Sequence, residues 1–222
     1  RLACDSGMDA LTHAIEAYVS VYSNDFTDAM ALHAIKIIWD NLSESVNGEA
    51  GLEKTAAQEH MHNAATMAGM AFGSGFLGMC HSMAHTIGAL CHVVHGHTNA
   101  ILLPYVIKYN ATKPTKFASF PKYKEYVADE RYAKIARRVG LCSADTPISE
   151  AVDCLVKAIR ELMTVTERPL CIKDCGVSEA EFMSKVDELS YKAFEDQCTT
   201  ANPVYPLVSE IKELYREAYY GE

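Results

Sequence analysis

No stretch of this sequence stays apolar long enough to span a bilayer, and no basic-then-apolar leader opens it. Both absences predict a cytoplasmic chain with no membrane partner. No C-x-x-C pair occurs among the eight cysteines; the nearest two, Cys171 and Cys175, stand four apart. A secreted disulfide framework does not fit a chain this long and this helical, whereas reduced, mostly buried thiols do. An excess of positive charge is also missing. The net charge of −9 argues against nucleic acid or an anionic membrane surface as partner. No segment alternates with period two as a strand would, and there is no repeat or low-complexity tract. Methionine is missing from position 1, which Arg1 occupies. The expectation is a piece of a longer chain.

What is present is ordinary globular material. The 222 residues are 49% apolar and 22% charged, enough for one large domain or two small ones with a real core. Helical spacing dominates. Leu11, Ile15, Tyr18 and Tyr22 form one stripe, and Ala31, Ile35, Ile38 and Leu42 a second that Asn47-Gly48 stops. A third helix is predicted from Leu52 to about Phe72, with Met61, Ala65, Ala68 and Phe72 on its stripe. A Gly-rich break at 73–78 follows, then a helix through His81 and His85, then one from near His95 that bends or stops at Pro104. Residues 113–127 read as a loop with two prolines, and further helices are expected near 129–139, 147–166, 177–196 and 207–219. The fold class is all-α. Residues 1–112 carry the candidate site, and 113–222 form a helical subdomain on the same core or a continuation of one domain.

Asp9 and His13 are four apart on a helix, so both project from one face, one turn apart. Ala10 and Ala17 beside them would let another helix approach closely. Alone, such a pair reads as an Asp–His hydrogen bond. The second cluster changes that: His81, His85, His92, His95 and His97 fall within 17 residues. His81 and His85 again share a face. On a continuous helix His92 would lie about 16 Å from His81, too far to share an ion. His95 could share it only if the chain turns back first, which Gly88 and Gly96 would permit. Several imidazoles with one carboxylate suit Fe²⁺, Zn²⁺, Co²⁺ or Ni²⁺ rather than Ca²⁺ or Mg²⁺. Spacing does not decide between His81 and His85.

The segments GMDALTHAIEAY (7–18) and GMCHSMAHTIGALCHVVHGHTNA (78–100) resemble the iron-containing (group III) alcohol dehydrogenases. HNAATMAGMAF (62–72), PTKFASFPKY (114–123) and EDQCTTANPVYPLVSEIKELY (195–215) are similar to the C-terminal half of bifunctional aldehyde–alcohol dehydrogenases. The resemblance covers essentially the whole chain. It implies Asp9, His13, His81 and His95 as ligands of Fe²⁺, with Zn²⁺ or another divalent ion able to replace it in the isolated domain. It implies a catalytic and cofactor-contacting role for His85. It also implies interconversion of a small primary alcohol and its aldehyde with NAD(P), and a homo-oligomer in the full-length protein. NAD(H) would be held mainly by an N-terminal α/β half, of which this sequence shows no trace; alone, the chain would be inactive. Three departures stand out: Val94 where the family usually has proline, His97 where it has an apolar residue, and Ser74-Gly75 before Phe76.

Other candidates read as structural. Gly73-Ser74-Gly75-Phe76-Leu77-Gly78 fits G-x-G-x-x-G by letter, but a helix precedes it and histidines follow, so it is a helix–loop–helix bend. His60 and His62 diverge on their helix, and His33 is a packed or surface residue. Cys80 and Cys91 are packing residues. His97 caps or solvates the next helix unless it reaches substrate. Glu16, three residues after His13, either orients an imidazole or forms a plain salt bridge. Two rival functions are a helical metal-dependent hydrolase, which would normally show a His-Asp dipeptide absent here, and a non-catalytic assembly module.

Overall fold

The computed structural model describes residues 2–116 and 125–221. Among these, nine α-helices and no strand occur, as the fold class required. None of the helices is long and apolar enough to cross a membrane. Residues 117–124 of the predicted loop lie outside the described residues, and its flanks at 113–116 and 125–127 carry no helix.

The N-terminal layer is α1 (Leu2–Val19), α2 (Asp25–Asn47) and α3 (Leu52–Gly75). Met8, Leu11, Ile15 and Tyr18 of α1 are buried against Ala31, Ile35, Ile38 and Leu42 of α2. Tyr22, expected on the first stripe, lies beyond the end of α1 and is 40% exposed. Asn24 starts α2 with a reciprocal cap: its side chain accepts from the Phe26 and Thr27 N–H groups, and the Thr27 hydroxyl accepts from Asn24 N–H. The buried stripe of α3 is Ala57, Ala64, Ala68 and Ala71; of the predicted stripe Ala68 is buried, Met61 and Phe72 pack half-buried on the core, and Ala65 faces solvent. Small residues on this stripe let α3 lie close along α2. The helix also runs three residues past Phe72, so Gly73 and Gly75 belong to it and the break is confined to 76–78.

Helices α4 (Met79–Cys91) and α5 (His95–Asn110) form the next layer. The turn between them is made at His92, in the left-handed region at φ 57°, ψ 26°, and not at Gly88, which is helical. Histidine is among the few residues that adopt this conformation readily. Val94 follows at φ −59°, ψ 129°, a conformation that proline also takes. Helix α5 is buried on all sides from Gly96 to Ile107 and packs against α1, α4, α7 and α9. It continues through Pro104 without stopping. The surrounding packing offsets the one backbone hydrogen bond that proline removes.

The remaining helices are α6 (Ala128–Arg138), α7 (Ile148–Val165), α8 (Glu179–Glu195) and α9 (Val208–Tyr220). Each boundary lies within two residues of its sequence expectation. Short 3₁₀ turns occur at Lys173–Cys175 and Gln197–Ala201. One hydrophobic core draws on all nine helices. The eight cysteines are free thiols, four buried and four half-buried.

His97 proves to be a structural tie. Its Nδ1 accepts from Arg168 Nη2 at 3.2 Å and its Nε2 donates to the Pro169 carbonyl at 3.3 Å. Arg168 also pairs with Asp5 at 2.8 Å, both side chains being 9% exposed. The pair joins α1 to the segment after α7, over the start of α5. Asp5→Ala would leave a buried guanidinium without its counter-charge, and should lower unfolding free energy by about 3–5 kcal/mol. Urea midpoints of the two proteins measure this; a loss below about 1 kcal/mol would show that the pair is dispensable.

Candidate metal centre

The site forms where α1, α4 and α5 meet, and glycine makes the meeting possible. A Cβ on Gly96 would lie 2.3 Å from the Asp5 carbonyl oxygen and 3.2 Å from the Asp9 Cβ. Only glycine allows α5 to start this close to α1. The contact sets His95 beside Asp9: His95 Nε2 is 3.5 Å from Asp9 Oδ1. One turn along α5, Asn99 Nδ2 donates to Asp9 Oδ1 at 2.7 Å and to His95 Nε2 at 3.1 Å. The His95 nitrogen facing Asp9 is therefore an acceptor, with its proton on the far side of the ring.

His81 comes from the first turns of α4 and is 1% exposed. Its Nε2 is buried, has no hydrogen-bond partner, and lies 3.7 Å from Asp9 Oδ1. Its Nδ1 lies 2.5 Å from Glu16 Oε2. Asp9, His81 and His95 each offer a donor atom within 4.8 Å of the other two, a spacing that one ion can gather. His13 stands at the edge of this group. Its Nδ1 is 3.8 Å from Asp9 Oδ2, and its ring is stacked between Phe72 (centroids 4.6 Å apart) and His81 (4.5 Å).

Electrostatics make the spot attractive to positive charge. Burial alone would raise the Asp9 pKa, but His81, His13 and the Asn99 amide hold it at about 2. Burial works against a charged His81, yet Glu16 and Asp9 raise its pKa to about 9. His13 is pushed down to about 4, first by burial and then by His81. His95 is lowered by burial, with His81 and His85 adding to the effect against Asp9. Proton or metal, a cation is favoured between the Asp9 and Glu16 carboxylates. A buried, unpartnered imidazole nitrogen aimed at a carboxylate fits a borderline transition-metal ion, which would take the place of a proton there, and the imidazole and carboxylate donors of Asp9, His81 and His95 fit the same class.

His85 lies on the open side, 40% exposed. Its ring stacks on His95 with centroids 5.2 Å apart, and its Nδ1–H donates to Asp196 Oδ2 at 3.0 Å. Asp196 is itself fixed by the Cys198 N–H at 2.8 Å and the Ser82 hydroxyl at 3.1 Å. Burial raises its pKa, but Cys198 N–H and His85 together hold it below the usual value. With Nδ1 so engaged, Nε2 is the remaining nitrogen of the His85 ring. His60, His62 and His33 are exposed, in keeping with their surface reading. Cys80 is buried, donates to the Asn99 carbonyl at 3.5 Å, and has a thiol pKa pushed well up by burial. Sequence reasoning left Glu16 undecided and missed Asn99 and Asp196. Asn99 was findable, four residues from His95 on one helix face. Asp196 was not, being 111 residues from His85.

A helical domain with a His/Asp cluster between its first, fourth and fifth helices defines the class: an α-domain with a candidate metal centre. The family described as Fe-containing alcohol dehydrogenase family, C-terminal, matches residues 3–219, and the chain belongs to it. Aldehyde-alcohol dehydrogenase 2 of Entamoeba histolytica is 50% identical over 220 residues, covering 99% of this chain and 24% of that protein. The NADPH-dependent butanol dehydrogenase of Clostridium saccharobutylicum is 42% identical, over 100% of this chain and 52% of that protein. The solved iron-containing alcohol dehydrogenase of Thermococcus thioreducens superposes with a TM-score of 0.81 at 39% identity, over 99% of this chain and 51% of its own. The chain thus spans from a quarter to about half the length of these relatives.

Proposed function

We propose that this chain supplies the metal-holding half of an NAD(P)-dependent alcohol dehydrogenase that interconverts a small primary alcohol and its aldehyde, of the ethanol–acetaldehyde class. Residues 1–112 carry the metal-binding helices, and α6 to α9 of the 113–222 part form a helical subdomain packed on the same core. Asp9, His13, His81 and His95 hold one divalent ion, Fe²⁺ in the cell. When bound, such an ion supplies Lewis-acid polarisation of an alcohol or carbonyl oxygen. His85 lies beside the ligands, 40% exposed, placed to contact the nicotinamide and to accept or return a proton at Nε2. The nucleotide is bound mainly by a second, N-terminal half. In the full-length protein the setting is a cytoplasmic homo-oligomer that binds neither nucleic acid nor membrane.

The observation that carries this reading is the His81 Nε2: buried, unpartnered, and directed at Asp9 where His95 converges. The test is metal uptake. Zn²⁺, and Fe²⁺ supplied without air, should each raise the melting temperature, because they bind the folded site and little else. Elemental analysis should find about one ion per chain. The iron should be lost or exchanged for zinc in aerobic handling, since imidazole-rich sites favour Zn²⁺ over Fe²⁺. The same preparation should bind NAD⁺ weakly or not at all by calorimetry. A melt unmoved by either ion would sink the proposal for this chain.

A further inference from the structure

Glu16 is 3% exposed and reaches from α1 to the first turn of α4, where it does two things at once. Oε1 accepts the Cys80 N–H at 2.7 Å, and Oε2 meets His81 Nδ1 at 2.5 Å. The approach is close: a Cβ on Gly78 would lie 2.8 Å from Glu16 Oε1. A backbone N–H only donates, so Oε1 must be an acceptor. A carboxylate is an acceptor at both oxygens, so the proton of this contact sits on His81 Nδ1. That leaves the buried His81 Nε2, which has no hydrogen-bond partner and faces Asp9, as the nitrogen a metal ion would take.

We infer that Glu16 is a positioning residue that selects the metal-binding tautomer of His81. Its charge adds to that of Asp9, so that two carboxylates among neutral imidazoles balance one divalent ion. The inference rests on the metal-centre reading above and deepens it.

Two substitutions separate this role from simple capping of α4. In Glu16→Gln the amide oxygen must take the Cys80 N–H, because an NH₂ there would oppose donor to donor. The amide NH₂ then donates to His81 Nδ1 and forces the ring proton onto Nε2, the nitrogen meant for metal. Glu16→Ala removes the cap but leaves the imidazole free to choose its tautomer. A capping role ranks affinity as wild type, then Gln, then Ala. The tautomer role reverses the variants: wild type, then Ala, then Gln.

The experiment is Co²⁺ titration of the full-length polypeptide carrying this chain, read by visible absorption against a competing chelator. Far-UV circular dichroism and metal-free melts establish that each variant is folded. Glu16→Gln should bind Co²⁺ weaker than wild type by about 10–100-fold or more, the range for lost ligand-orienting contacts. Glu16→Ala should fall between them. If Glu16→Ala does not fold, Glu16→Gln, which keeps the size and the cap, decides alone. Affinity of Glu16→Gln within threefold of wild type, or above that of a folded Glu16→Ala, overturns the role of Glu16. A wild-type protein that takes up no Co²⁺ overturns instead the metal centre itself, and this inference with it.

Discussion

In the full-length polypeptide, His81→Ala should empty the metal site, and His85→Ala should leave it loaded while lowering turnover by about 10²–10⁴. The two residues are one helical turn apart on α4, so the contrast is a sharp one. His81 is 1% exposed and offers the only unpartnered buried imidazole nitrogen of the described residues. Its loss removes the donor that closes the Asp9–His95 group from below and leaves the Glu16 carboxylate without its partner. His85 is tied through Nδ1 to Asp196, not to Asp9. Its removal takes away a ring stacked over His95 but no donor atom of the Asp9, His81, His95 set. Elemental analysis and steady-state kinetics on matched preparations measure both effects. Equal metal loss in the two variants would mean that the ligand assignment on α4 is wrong.

Gly96→Ala should weaken both the fold and the metal site with a single methyl group. The added Cβ would sit 2.3 Å from the Asp5 carbonyl, where ordinary contact begins near 3.4 Å. The atom in its way is backbone, so no rotamer relieves it. Helices α1 and α5 must separate by about 1 Å, the difference of those two distances. Overpacking of this kind costs about 1–3 kcal/mol. The metal site suffers more than the fold, because Asp9 lies on one of the two helices and His95 on the other. Donor placement tolerates only about 0.5 Å. Metal affinity should therefore fall by at least tenfold even at temperatures where the variant is fully folded. A Gly96→Ala protein with wild-type zinc affinity and wild-type melting temperature would show that the helix contact is softer than its geometry implies.

Much of this fold was legible because its helices obey simple spacing. Asp9 and His13, and His81 and His85, shared faces as their i, i+4 spacing required. His95 joined them because a turn intervened. What sequence reasoning misplaced were details set by packing between elements. Gly73 and Gly75 look like breakers, yet α3 carries them, because Gly75 faces a close neighbour, the Ala17 carbonyl, 3.3 Å from where its Cβ would be. Gly88 looked like the hinge, but His92 makes the turn. Pro104 looked like a stop, but a helix buried on every side holds its course. On the α3 stripe Ala64 is covered where Ala65 was expected, since adjacent alanines give no signal of which one faces the core. Glu16 and Asp196 act across the fold on groups 65 and 111 residues away, and spacing along a chain carries no record of such partners.

The donors of the site differ in depth. His81 is 1% exposed, Asp9 and His13 about a fifth, and His95 and His85 about two fifths. An ion held here has a closed floor at His81 and a doorway on its most exposed side, at the stacked rings of His85 and His95. How tightly it is held is decided at the floor, by His81 and the two carboxylates. How long it stays is decided at the doorway. Whatever molecule comes to rest across those two rings lengthens the ion's residence without supplying it a donor atom, so that occupancy and escape are governed by different parts of the same small chamber.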